Sequence, residues 1–345
     1  MNFLLFIYFY CSTIHSFLIW PFYNNNNITL NNNTLSNNTT IEGTIEGTKE
    51  SSSFWDYFNK KKSNRQLKLA PFSVIEEAKY YAHYAGAAYC KDISTIKQWN
   101  CDLHCKLNPN QTVQIIDLFE NKSIKTRSFI ALNEIEKKII ISFRGSNQFH
   151  NFISDFKLFK LNYQLVEAYN GTKSDNKNNI RIHRGFFQCS ESLKKNITLS
   201  LKKLYSKDSK YKDYHIILTG HSLGGSMAVL AALYLKQEFD LNSNDLSVYT
   251  YGQPRIGNSN FVNLIQQNQL KIIRVTNRND PIPHSPPAIL GFHHHGNELY
   301  ISDPKTTILC NDDLKEDPMC SASRSYLLNL NMHLKVWNIP MGTYC

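Results

Sequence analysis

The sequence predicts an α/β fold with a central, mostly parallel sheet and helices on both of its faces. Two observations carry that prediction. The first is the alternation of short apolar runs with segments of helical period between residues 128 and 276, the pattern of strands joined by crossover helices. The second is Thr219-Gly220-His221-Ser222-Leu223-Gly224-Gly225, which joins apolar His215-Ile216-Ile217-Leu218 to Met227-Ala228-Val229-Leu230-Ala231-Ala232-Leu233. Gly-x-Ser-x-Gly between a buried strand and a helix forms a sharp turn that projects the serine hydroxyl out of the sheet. The amide of Leu223 then opens the helix, where donors lack intrahelical partners and the dipole favours an oxyanion.

The elements follow in order. Residues 1–20 read as a signal peptide: Phe3 to Tyr10 is apolar or aromatic throughout, and small and polar residues follow around Cys11-Ser12-Thr13. The apolar run is too short to span a bilayer comfortably, although Phe17-Leu18-Ile19-Trp20 could extend it into a retained anchor, and no later segment has the length or purity of a stable membrane span. Residues 21–70 are rich in Asn, Thr and Ser and hold too little apolar surface to offset ordering entropy, so a disordered leader is expected. A single domain is expected over residues 71–345. Ser73-Val74-Ile75-Glu76 has the pattern of a capping box opening a helix through Tyr80 to Ala88. Ser128–Leu132 and Lys138–Phe143 read as a strand hairpin, the second strand central because it is apolar throughout. A helix from Phe186 to Tyr205, strand His215–Leu218, helix Leu223–Leu235, strand Leu246–Tyr251, helix Phe261–Gln267 and strand Ile272–Thr276 complete the alternation.

The formal net charge is +10. Residues 1–53 carry Glu42, Glu46, Glu50 and Lys49, a net of −2, which leaves about +12 on the remainder. The basic clusters, such as Lys60-Lys61-Lys62, fit attraction to anionic surfaces or simply a solvated face. Nothing resembles a basic–aromatic nucleic-acid module. Eight Asn-x-Ser/Thr sequons, at Asn27, Asn32, Asn37, Asn38, Asn110, Asn121, Asn170 and Asn196, agree with a secreted, extracellular glycoprotein. Among the cysteines, Cys101 with Cys105 and Cys310 with Cys320 suggest local disulfides. The terminal Cys345 needs a partner, Cys90 is available, and Cys189 is left as a free thiol. A zinc site from Cys101, His104 and Cys105 competes with the first pairing, but no second ligand pair has suitable spacing.

A serine on such a turn requires an acid and then a histidine later in the chain. Asp280 follows strand Ile272–Thr276, on a loop at the carboxyl end of a buried strand, where open α/β sheets place functional groups. Asp303, after another strand-like run, is the alternative. The histidines beyond Asp280 are His284, His293, His294, His295 and His333. His284 shares the acid's loop, and the triple run is expected to be packed. His333 lies in the apolar segment Met332–Trp337. His221 precedes the base in chain order and is expected to fasten the turn.

With these residues in view, the chain from Pro71 to Cys345 resembles the class 3 lipases, the fungal-type (Rhizomucor-like) triacylglycerol lipases of the α/β-hydrolase fold. The resemblance rests on Ile141-Ser142-Phe143-Arg144-Gly145-Ser146, Ile182-His183-Arg184-Gly185-Phe186, Gly220–Gly225, Tyr251-Gly252-Gln253-Pro254-Arg255-Ile256-Gly257-Asn258, Asn279-Asp280-Pro281 and the late His333. It implies a catalytic triad of Ser222, Asp280 and His333, an oxyanion hole from Ser146 and Leu223, and disulfides Cys90–Cys345, Cys101–Cys105 and Cys310–Cys320. Phe149, Phe152, Ile153 and Phe156 stand at i, i+3, i+4 and i+7 just after Ser146. That apolar stripe fits a surface helix or, given the resemblance, a short helical lid over the acyl groove. The family often has tryptophan in the lid where this chain has Phe152.

The expected function is a secreted serine esterase acting on lipid acyl esters at a lipid–water interface, with no metal and no organic cofactor. A phospholipase A1 or a carbohydrate-aryl esterase would use the same residues. A non-catalytic lipid- or glycan-binding protein on the same scaffold is the reading from another class.

Overall fold

The computed structural model describes residues 67–107, 113–146, 180–206, 208–311, 316–324 and 328–342, together with the backbone of 163–165. They belong to one compact unit, Asn64–Cys345. The expected signal peptide, nearly all of the leader, the lid stripe and Cys345 lie outside the described residues.

A nine-stranded sheet forms the centre, in the order β1-β11-β10-β9-β8-β7-β4-β3-β2. Its strands are β1 (Lys68–Leu69), β2 (Val113–Asn121), β3 (Thr126–Asn133), β4 (Lys138–Phe143), β7 (His215–His221), β8 (Leu246–Tyr251), β9 (Lys271–Asn277), β10 (Glu298–Asp303) and β11 (Thr306–Leu309). From β4 through β10 all neighbours are parallel, and both edges turn antiparallel. Two short strands outside the sheet, β5 (Tyr163–Leu165) and β6 (Arg181–His183), pair with each other.

Strand periodicity divides the core into two layers. Ile130, Leu132, Ile139, Ile141, Ile216, Leu218 and Val248 point to one face, beneath helices from the segments 184–204, 223–238 and 259–267. Their alternate neighbours Phe129, Ala131, Ile140, Ile217, Tyr249 and Val275 point to the other, beneath α1 (Phe72–Ala87). Helices α2 (Ile93–Lys97) and α3 (His104–Leu107) follow α1, and α4 (Arg184–Leu204), α5 (Leu223–Glu238) and α6 (Ser259–Gln267) complete the set. From Gly224 to Leu235 every residue of α5 is buried, as expected of a helix apolar on all sides. No described helix is long and apolar enough to cross a membrane.

Three details differ from the sequence expectation. Helix α1 opens one residue before the Ser73–Glu76 box: Pro71 is the N-cap, no side chain caps the helix, and the Pro71 carbonyl receives the amides of Val74 and Ile75. Ser73 therefore lies inside the first turn instead of at the N-cap, so the box, in which an N-cap hydroxyl accepts the amide three residues on, does not form. Strands β2 and β11 extend the antiparallel edges beyond the predicted set. Lys68 and Leu69, expected in the leader, form strand β1 against Leu309 and Ile308.

The cysteines pair as Cys101–Cys105 and Cys310–Cys320, so the thiols of the competing zinc reading are bonded to each other. Cys90 is disulfide-bonded, and Cys189 in α4 is a free, half-buried thiol.

Candidate active site

The turn between β7 and α5 holds Ser222 at φ 58 and ψ −128. A non-glycine residue there costs about 1–3 kcal/mol and persists only where its surroundings enforce it. They do so through two close approaches. A Cβ on Gly220 would fall inside the Gly224 carbonyl, and one on Gly224 would fall inside the Phe143 carbonyl at the end of β4. The turn is pinned by the Ser222 amide, which donates to the Tyr251 carbonyl at 2.8 Å. The Ser222 hydroxyl is buried and has no hydrogen-bond partner among the described residues.

Strand β4 delivers Gly145 and Ser146 to the same place. A Cβ on Gly145 would lie 2.6 Å from the His221 carbonyl and 3.2 Å from Ser222 Cβ, so Ser146 follows directly from a backbone laid against the turn. Leu223, the other expected oxyanion donor, is the first residue of α5.

Asp280 sits just past the end of β9 and is buried. Its Oδ1 accepts the Ile282 amide at 2.9 Å, and its Oδ2 lies 2.8 Å from Nδ1 of the buried His333. Since Asp280 and His333 are far apart in sequence, separate contacts hold the second partner. The side-chain amide of Asn277, at the end of β9, donates to the carbonyls of Met332 at 2.9 Å and Lys335 at 2.7 Å, on either side of His333. From the turn, His221 donates its Nε2–H to the His333 carbonyl at 2.8 Å. Gly252, at φ +55, leaves the space that the pair occupies: a Cβ there would stand 2.8 Å from Asp280 Oδ2 and from His333 Nδ1.

Burial, and next the neighbouring His333 ring, hold the His221 imidazole well below the ordinary histidine range. His221 is therefore a neutral neighbour of His333, able to orient it without competing for a proton.

The structure thus brings Ser222, Leu223, Gly145–Ser146, Asp280 and His333 to one end of the sheet. Asp303 does not join them: it accepts the Lys305 amide at 2.9 Å in the turn between β10 and β11. His294 and His295 are packed, as expected, with His294 bonded to the Pro283 carbonyl at 2.7 Å and His295 to that of Gly296 at 3.1 Å. Sequence reasoning did not single out Gly252 or Arg255. Both lie in the motif Tyr251–Asn258, but only their spatial neighbours give them a role. Phe149, Phe152, Ile153 and Phe156 remain outside the described residues.

A strained serine between strand and helix, with a buried Asp–His pair behind it, defines a hydrolase of the serine-nucleophile class on an α/β-hydrolase fold. Comparison with known proteins narrows the class. The family described as lipase (class 3) matches residues 140–290. The lipase of Rhizomucor miehei is 32% identical over 279 residues, covering 80% of this chain and 72% of that protein. Secreted mono- and diacylglycerol lipase 1 of Fusarium solani is 28% identical over 232 residues, covering 66% of this chain and 63% of that protein. A solved triacylglycerol lipase, described as having a serine-protease triad at its catalytic centre, superposes with a TM-score of 0.70 at 31% identity, covering 80% of this chain and 99% of that chain. The chain belongs to the class 3 lipases, and it is a carboxylic-ester hydrolase.

Proposed function

We propose that the protein is a secreted, triacylglycerol lipase-like enzyme that hydrolyses lipid acyl esters through an acyl-enzyme on Ser222. The observation that carries this reading is the 2.8 Å bond between His333 and Asp280 behind a serine held at φ 58. His333 Nε2 takes the Ser222 proton as Oγ bonds to the ester carbonyl carbon. The tetrahedral oxyanion is met by the Leu223 amide and by Ser146. On collapse the alkoxide leaves with the proton from His333, and the acyl group stays on Ser222. Water, deprotonated by His333, attacks the acyl carbon, and the carboxylic acid departs as Ser222 regains its proton. Asp280, 2.8 Å from Nδ1, orients the imidazolium throughout. Losing one oxyanion donor would cost about 2.7–4 kcal/mol of transition-state stabilisation.

The lipid preference is supported by the likeness to named lipases and by the apolar stripe at Phe149, Phe152, Ile153 and Phe156, read as a lid. Secretion is supported by the apolar first residues and by the secreted relative in Fusarium solani. The test is hydrolysis of triolein, phosphatidylcholine and methyl ferulate side by side, by the parent and by Ser222→Ala, with fluorophosphonate labelling of both. Triolein hydrolysis and labelling, both abolished in the variant, are expected. Labelling that persists in Ser222→Ala would remove Ser222 from its role, and a preference for methyl ferulate would overturn the lipid assignment.

A further inference from the structure

The segment that follows Asp280 is secured in an unusual way. Four consecutive carbonyls, from Pro283 to Pro286, are each held by a donor from elsewhere in the chain. Arg255 Nη1 donates to His284 at 2.6 Å and to Pro286 at 3.0 Å. The Arg255 amide donates to Ser285 at 2.9 Å, and His294 Nε2–H donates to Pro283 at 2.7 Å. Both holders converge on one carboxylate. Arg255 grips Glu316 with two parallel bonds, Nε to Oε1 at 2.8 Å and Nη2 to Oε2 at 2.6 Å, and the His294 amide reaches Glu316 Oε1 at 3.2 Å. Glu316 itself lies within the loop closed by Cys310–Cys320.

The Arg255 side chain is only 7% exposed. A planar guanidinium can serve two carboxylate oxygens and two carbonyls at once, a geometry that lysine cannot reproduce. Burial opposes ionisation of Glu316, but the Arg255 hydrogen bonds and charge outweigh it and hold the carboxyl below its ordinary range. The pair is therefore charged. The two remaining hydrogen bonds of the guanidinium both end on the segment that follows Asp280.

We infer that Arg255 is a positioning residue for Asp280, and that the Cys310–Cys320 loop serves to deliver Glu316 as its anchor. Arg255 touches no reacting atom. It fixes the backbone from Pro283 to Pro286, and with it the carboxylate that faces His333. This inference rests on the assignment of Asp280 as the triad acid.

The test uses the full chain and three readouts: kcat and KM on a soluble p-nitrophenyl ester, thermal midpoint, and the downfield N–H proton resonance of the His333–Asp280 hydrogen bond. The variants are Arg255→Lys, the double change Arg255→Met with Glu316→Met, and Asp280→Asn as reference. An apolar pair can replace a buried ion pair with little loss of stability, but methionine cannot hold the carbonyls. Both Arg255 variants should lose roughly ten- to a hundredfold in kcat with KM nearly unchanged, and the downfield resonance should broaden or vanish. A parental kcat and a sharp resonance in either folded variant, even with a lowered midpoint, would overturn the inference. Should the double variant fail to fold, Arg255→Lys, which keeps the charge, decides alone. A parental kcat in Asp280→Asn would instead overturn the acid assignment itself, so the two failures are distinguishable.

Discussion

His221 and His333 are joined twice: by the Nε2–H···O=C bond of 2.8 Å and by rings whose centroids are 4.3 Å apart. A carbonyl only accepts, so the His221 proton sits on Nε2. Its Nδ1 must then accept, and the Tyr89 hydroxyl lies 2.9 Å away to donate. The Gly145 amide in turn donates to that hydroxyl. One chain of hydrogen bonds thus links the strand that presents Ser146 to the backbone of His333.

Tyr89→Phe removes one oxygen from this chain and leaves a buried Gly145 amide and a buried His221 nitrogen without their present partner. The expected loss is about 1–3 kcal/mol of stability, measured by urea denaturation, together with a fall in kcat. A stability and kcat equal to the parent's would show that the hydroxyl orients nothing.

Gly252→Ala and Gly291→Ala form a matched pair. Both glycines have positive φ, +55 and +84, so alanine costs each about 1–2 kcal/mol in backbone strain. At Gly291 a Cβ would meet nothing within 4 Å, whereas at Gly252 it would stand 2.8 Å from both members of the Asp280–His333 pair. Gly291→Ala should keep its turnover. Gly252→Ala should lose about a hundredfold or more, and comparable turnover in the two variants would contradict the site geometry.

Acid should weaken the fold well before the carboxylates titrate. Burial lowers His104 to about 3 and His183 to about 4. Burial, with a lesser contribution from Arg274, lowers His295 to about 3. In the unfolded chain these rings take up protons near pH 6.5. The unfolded state therefore binds more protons below that value, and stability that is complete above it declines as the pH falls toward 4. Each ring adds a slope of up to about 1.4 kcal/mol per pH unit. Thermal midpoints between pH 7 and 4.5 should show this decline, and His104→Phe should make it shallower. A flat profile would contradict the burial of these rings.

The lid reading makes a separate prediction. Replacing Phe152 and Phe156 by Ser removes apolar surface on the order of 1.5–3 kcal/mol per side chain if each is buried at a lipid surface. Emulsion hydrolysis should fall much more than hydrolysis of a soluble short ester. Equal losses on both substrates would assign the stripe to the core.

The sheet and the nucleophile turn were legible because their signals are local. The apolar runs Ile139–Ile141 in β4 and Ile216–Leu218 in β7 are continuous, and the glycines flanking Ser222 have few other uses. Strand β2 was missed for a physical reason: its register shifts between Ile115 and Asp117, so the apolar residues Ile115, Ile116, Leu118 and Phe119 do not alternate. Chain order and strand ends pointed to Asp280, but periodicity could not select His333 among five histidines, and family resemblance did so. The Arg255–Glu316 grip was out of reach altogether, since it joins residues 61 positions apart through a loop without periodicity.

Strand β1 has a practical consequence for anyone producing the enzyme. Lys68 and Leu69 cover the outer rim of β11, and Ala70 adds a bond to the Thr307 carbonyl at 2.9 Å. A recombinant chain begun at Pro71 would retain Ser222, Asp280 and His333 yet leave that rim open, a template along which neighbouring molecules can pair. Such a preparation would lose activity on storage through clumping, with its chemistry intact. Beginning at Asn64 keeps the rim closed, so the shelf life of the catalyst depends on a few residues that never approach an ester.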